Sequence, residues 1–178
     1  MKDLLTRRRL WKKCIVANSI IIVAAAARAA EAASLPLPTE KPILTITGRI
    51  TVTNGPGVAE FDRPMLEALG TSGLETTTPW YNGAVRFEGV RMDRLMQEIG
   101  ATGKTLIVYA INDYSVEVPV DDFSKFNVIL ALKRDGKYMS VRDKEPLFMV
   151  YPYDSMPELQ HQRYYSHSVW QIVRSEIR

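Results

Sequence analysis

The stretch Val128–Pro152, "VILALKRDGKYMSVRDKEPLFMVYP", carries the strongest fold signal in this 178-residue chain. Its first part is a short aliphatic run with the composition of a strand. Arg134-Asp135-Gly136-Lys137 then has the residues of a tight hairpin turn, because Asp and Gly accept the positive φ values such turns need. "KYMSV" returns, and "PLFMVYP" makes a further, proline-bearing strand.

Similar runs lie on both sides. "TLIVYAI", "SVEVPV" and "SVWQIVRSEI" (within residues 105–111, 115–120 and 168–177) are β-branched or aromatic and predict strands, as does "ILTITGRITVT" from Ile43, broken at Gly48. Two segments follow helical spacing instead. "FDRPMLEALG" has Asp62 as N-cap, Pro64 in the first turn and Gly70 as the stop, with Met65, Leu66 and Leu69 on one face. "RMDRLMQEIG" repeats the pattern with Met92, Leu95, Met96 and Ile99 before Gly100. "LETTTPWYNGAVRFEG" (Leu74–Gly89) reads as two strands joined by a tight Asn82-Gly83 turn. "QHQRYYSHS" (Gln160–Ser168) reads as a surface loop. No repeat and no second domain emerge. The architecture expected is α+β: a β-rich, mixed-sheet, barrel-like domain with two or three short helices.

Composition sets the outer limits. With 46% hydrophobic and 24% charged residues, the chain suits one globular domain plus an appendage. Residues 1–32 hold seven Lys/Arg and two Asp/Glu, leaving 16 basic and 18 acidic residues elsewhere, a formal charge of −2. A nucleic-acid partner is therefore not expected. The first residues read as a signal peptide: cationic "MKDLLTRRRLWKK", the short apolar run "CIVANSIIIVAAAA", then small residues that offer cleavage after Ala29 or Ala32. An uncleaved anchor is the alternative, disfavoured by the short, alanine-rich run. Thr6-Arg7-Arg8-Arg9-Leu10-Trp11-Lys12 resembles a twin-arginine export signal, while any exported precursor needs a cationic start, so both routes stay open. The expected organisation is a signal peptide at 1–32, an extended proline-rich lead-in at 33–41 and a domain at 42–178, located in the periplasm of a bacterium, with membrane contact only through the uncleaved signal. Cys14 is the sole cysteine and falls in the signal, so the mature chain has no thiol chemistry.

The order "FEGVRMDRLMQEIGA", "VYAINDYSVEVPV", Val128–Pro152 and "SVWQIVRSEI" resembles the molybdopterin-binding domain of the sulfite oxidase family, in particular its small stand-alone exported members. The resemblance covers residues 42–178 and implies the family's fold and a molybdopterin cofactor. It also implies a metal-ligating cysteine near residue 80, where this chain has Trp80. Around Pro146 the family carries a His-Gly pair and a following basic residue, against Asp143-Lys144 and Phe148 here. A lysine before the last-strand tryptophan is replaced by Val169.

The candidate site residues follow. Trp80 and Tyr81 line an aromatic pocket where the resemblance implies a metal centre, or else the indole simply ends a strand in the core. Asn112, Asp113 and Tyr114 sit at a turn that the resemblance brings to the cofactor face, although Asn and Asp also favour turns for backbone reasons. Arg142 and Lys144 are either solvated loop charges or substitutes for the family's phosphate contacts. His161 and His167 have no partners at metal-ligand spacing, and no metal site or catalytic residue is expected. Two functions stand. The first is an exported, non-catalytic module that binds a small molecule or a periplasmic partner protein, with no cofactor. The second is an oxidoreductase that keeps molybdopterin through altered anchors.

If the twin-arginine reading holds, replacing Arg7 and Arg8 with Lys leaves precursor in the cytoplasm, because Arg9, Lys12 and Lys13 still supply the charge of a general signal. Cell fractionation with immunoblotting checks this; an unchanged periplasmic yield refutes it.

Overall fold

A computed structural model describes residues 34–139 and 147–178. The signal-peptide residues and the loop bearing Arg142 and Lys144 lie outside the described residues.

The described chain runs β1 (Leu44–Gly48), β2 (Ala59–Phe61), α1 (Arg63–Ala68), β3 (Ser72–Thr78), β4 (Tyr81–Arg91), α2 (Met92–Glu98), β5 (Thr105–Ala110) and β6 (Ser115–Pro119). It continues with α3 (Asp121–Lys125), β7 (Ile129–Arg134), β8 (Lys137–Tyr138), β9 (Phe148–Val150), two 3-10 turns (Tyr153–Ser155 and Pro157–Leu159), α4 (Gln162–His167) and β10 (Ile172–Ile177). The strands form two five-stranded sheets. One has the order β2-β1-β10-β5-β6, with β1 and β10 parallel and the other pairs antiparallel. In the other, β3-β4-β7 continues into β8 and β9, which take successive stretches of one β7 edge.

The residue pattern explains why β7 is central. Leu130 and Leu132 point into the larger core with Leu44, Ile46, Phe61, Met92 and Leu95, whereas Ile129 and Ala131 point into a smaller cluster with Val85, Phe87, Phe148 and Val150. A strand buried on both faces reads as an uninterrupted apolar run. β9 divides its side chains in the same way: Met149 joins the larger cluster, Phe148 and Val150 the smaller. Its backbone also reaches the other sheet. The Met149 amide donates to the Val169 carbonyl at 2.9 Å, Phe148 bridges Trp170, and the Ile172 amide donates to Leu147 at 3.2 Å just where β10 begins.

The expected helices form for the expected reasons. The Asp62 carboxylate caps α1 by accepting from the Met65 amide at 2.9 Å, and Gly70 ends the segment at φ +101°. Asp62 is fully buried and also accepts from the Thr39 and Glu40 amides at 2.6 and 2.9 Å. Burial favours its neutral form, but these donors hold its pKa below the ordinary carboxylate value. The lead-in is tied to the body there, and Leu35 packs into the larger core. Arg134 and Lys137 pair across Asp135-Gly136, whose φ values of +50° and +77° are those of the expected hairpin turn.

Two expectations are corrected. The β3–β4 connection is Pro79-Trp80, because Thr78 pairs with Tyr81 and Thr77 with Ala84. Asn82 and Gly83 are the extra residues of a bulge inside β4, with Gly83 at φ +77°. The "QHQRYYSHS" segment is not a loop: Gln162–His167 is a fourth helix, with the His161 ring accepting from the Arg163 amide at 3.2 Å and His167 buried beneath it.

At Gly89 a β-carbon would lie 2.0 Å from the Leu130 carbonyl oxygen, so β4 approaches β7 too closely for any side chain. Gly89→Ala is expected to cost about 1–3 kcal/mol through forced separation of the strands. Gly73→Ala, whose nearest neighbours would lie at 3.7 Å, is expected to stay within about 0.5 kcal/mol. Denaturant melts of the two variants check the contrast; equal losses refute it.

Candidate functional site

Four connections converge on one cavity of about 410 Å³. The β3–β4 turn supplies Pro79 and Trp80, the end of β5 and its following turn supply Ala110, Asn112 and Tyr114, α4 supplies Gln162, Tyr165 and Ser166, and the link into β10 supplies Ser168, Val169 and Trp170. Its size is within the usual range for small-molecule sites, about 300–1,000 Å³.

The threonine run fixes one wall. Asp154 accepts from the Thr77 amide and hydroxyl, each at 2.6 Å, and its own amide donates to the Thr76 hydroxyl at 3.1 Å. The Thr77 hydroxyl, with its amide, holds the Asp154 pKa below the ordinary carboxylate value. That clamp sets the strand whose end presents Trp80. The indole meets Trp170 edge to face at 5.5 Å and 69°, and also meets Phe148, Tyr165 and Tyr153 at 5.6, 6.3 and 6.4 Å. Trp80 therefore combines both sequence readings: it is half-buried against the core and it lines the cavity.

The opposite wall is a turn. Asp113 takes φ +62°, and the Asn112 side-chain oxygen accepts from the Tyr114 amide at 3.3 Å. Tyr114 is 49% exposed. Asn112 and Tyr114 thus serve the turn and the cavity together. The structure does not bring the other two described candidates there. Asp113 is exposed outside the lining, because its left-handed backbone turns the chain back toward β6. Tyr81 starts β4 and packs on Phe87 with the Arg134 guanidinium 4.8 Å from its ring centre. Both residues touch the smaller cluster, but of the two only Trp80, in the β3–β4 turn, lines the cavity.

Beneath α4 lies a polar cluster that sequence reading missed. The buried Tyr151 hydroxyl donates to the Asp122 carboxylate at 3.1 Å, and His167 Nδ1 lies 3.6 Å from the same oxygen. Burial, followed by the charge of Asp122, raises the Tyr151 pKa. Burial lowers that of His167, against the opposing pull of Asp122. Tyr153 bonds the Ser168 hydroxyl, which also donates to the Tyr164 carbonyl at 3.2 Å, and so anchors the cavity floor. Tyr165 and the other α4 residues were missed because a six-residue helix is too short to display a period, and Trp170 because it reaches the cavity from the link into β10. The available signal was the pairing of Tyr164 with His167 at a three-residue step.

Among the described residues no group of three or more His, Cys, Asp or Glu is disposed to hold a metal ion. The described lining consists of aromatic rings, carboxamides, hydroxyls and aliphatic groups, with no thiolate and no charged side chain. A cofactor that carries a phosphate and binds its metal through a protein thiolate would find neither a cationic nor a thiolate side chain among these described lining residues.

No protein-family model matches the chain, and no curated protein matches it in sequence. Among solved structures the chain is similar to the sulfane dehydrogenase SoxCD from Paracoccus pantotrophus, with a TM-score of 0.56 and 17% identity. The match covers 75% of this chain and 37% of that one. This likeness is one of fold: the mixed α+β, two-sheet domain is sulfite oxidase-like, as the sequence led one to expect.

His167 gives the domain a pH dependence of known sign. With its folded-state pKa lowered by burial, its contribution to stability is complete above the ordinary imidazole value of about 6.5 and is lost as pH falls through the lowered value. Asp122, Arg163, Tyr151 and Tyr164 are the titratable or charged groups around it. The wild-type melting temperature is expected to fall between about pH 7 and pH 5, and His167→Gln to flatten part of that fall. Melts across this range check it; an unchanged slope in the variant refutes it.

Proposed function

We propose that this protein is an exported, periplasmic binding module that uses a sulfite oxidase-type domain without its redox chemistry. The carrying observation is the indole of Trp80. It stands near the point where the family resemblance implies a metal-ligating thiolate, and it lines a cavity otherwise bounded, among the described residues, by rings, aliphatic groups and neutral polar groups. A protein ligand to a metal is hard to replace, since it fixes both geometry and charge. The same opening suits a small molecule held by aromatic surface and a few hydrogen bonds. A periplasmic protein partner that inserts one side chain is the other form this binding takes.

The competing reading is an oxidoreductase with an altered molybdopterin site. Its support is the Arg7-Arg8 leader, since the twin-arginine route carries proteins folded around cofactors.

The decisive measurement is metal and pterin analysis of protein purified from its native periplasm. Far less than stoichiometric molybdenum is expected; near-stoichiometric molybdenum with a pterin fluorescence signal after oxidation overturns the module. In parallel, Trp80→Ala is expected to cost less than the roughly 3–5 kcal/mol typical of truncating a fully buried tryptophan. A thermal melt with calorimetry checks this, and a loss of that full size would assign Trp80 to the core alone.

A further inference from the structure

The rings around the cavity have a definite order. Trp80 contacts Phe148, Tyr153, Tyr165 and Trp170 at interplanar angles of 79°, 61°, 81° and 69°. Each neighbour therefore meets it edge to face, in a herringbone that favours the positive edge of one ring against the negative face of the next. Trp80, Trp170 and Tyr165 of this array line the cavity together with the exposed ring of Tyr114.

The polar groups are also sorted. Ser166 donates to the Arg163 carbonyl at 2.7 Å and Ser168 to the Tyr164 carbonyl at 3.2 Å. The Ser166 hydrogen is thus directed at protein, which leaves its oxygen to face a ligand as an acceptor, whereas Ser168 is occupied by both Tyr153 and Tyr164. The Asn112 oxygen is committed to the Tyr114 amide, which leaves its NH₂ as a donor. The wall thus offers the Asn112 carboxamide as a donor and the Ser166 hydroxyl as an acceptor, with the Gln162 carboxamide able to act as either. A bound ion would meet no counter-charge among the described lining residues, and burying an unpaired charge is costly.

Resting on the binding-module reading, we propose that the cavity takes an uncharged heteroaromatic ring bearing an amide-like edge, both acceptor and donor, as the next member of the herringbone. The ring packs against Trp80 and Trp170. Its carbonyl accepts from Asn112 and its N–H donates to the Ser166 oxygen.

The test is saturation-transfer NMR on the full mature protein, with nicotinamide and indole as uncharged aromatic probes. Cyclohexanecarboxamide serves as the saturated counterpart, with tetramethylammonium and inorganic phosphate as charged probes. Nicotinamide is expected to bind and to compete with indole, and cyclohexanecarboxamide to bind about 2–10-fold more weakly. Trp170→Ala is expected to abolish both aromatic signals. Should that variant fold poorly, Ser166→Leu fills the cavity from α4 without removing a ring and is expected to do the same. Equal binding of the saturated amide, or signals that survive both substitutions, overturns the proposal. Displacement of nicotinamide by tetramethylammonium or phosphate at lower concentration also overturns the ligand class while leaving the binding module standing. Silence from the whole panel overturns both.

Discussion

The three residues of β9 hold this domain together. Along one edge their backbone pairs with β7 in one sheet, and along the other it meets Val169 and Trp170, while the preceding Leu147 bonds Ile172 at the start of the last strand of the second sheet. Their side chains feed both hydrophobic clusters, and all three are almost wholly buried. A buried amide or carbonyl that lost its partner here would meet no water. Sheet separation is consequently opposed by hydrogen bonding and by packing at the same few atoms.

That seam also determines where a cavity forms. Phe148 supports Trp80 from below, and its bridge partner is Trp170, so two walls are attached to one residue of β9. The remaining walls arrive from a tight turn and a short helix, both of which vary in side chain more readily than a buried strand does. One scaffold can therefore keep its seam while the groups around the opening change.

The sequence was most legible where local chemistry and burial agree. Asp62 before Pro64 specified a helix start, and Asp135-Gly136 a hairpin, because few other conformations satisfy those residues. The Val128–Leu132 run was legible as a strand because burial on two faces removes polar residues from it. Asn82-Gly83 misled for an instructive reason: the pair favours positive φ in a bulge as well as in a turn, and only the registration of Thr77 with Ala84 separates the two. The site was half legible. Trp80, Asn112 and Tyr114 stood out as residues, but Tyr165 and Trp170 reach the cavity through α4 and the seam, which no local pattern announces.

The contact between Trp80 and Trp170 has an optical consequence. The chain has three tryptophans, and the remaining one is Trp11 in the leader, so a cleaved protein would absorb and emit at indole wavelengths from this single pair. Rings 5.5 Å apart and inclined at 69° have transition dipoles close enough to share excitation, which gives coupled bands in near-ultraviolet circular dichroism and rapid transfer of the excited state. Neither indole can then report alone: whatever quenches one darkens both. The cavity carries its own chromophore, and its state is readable by light without a label.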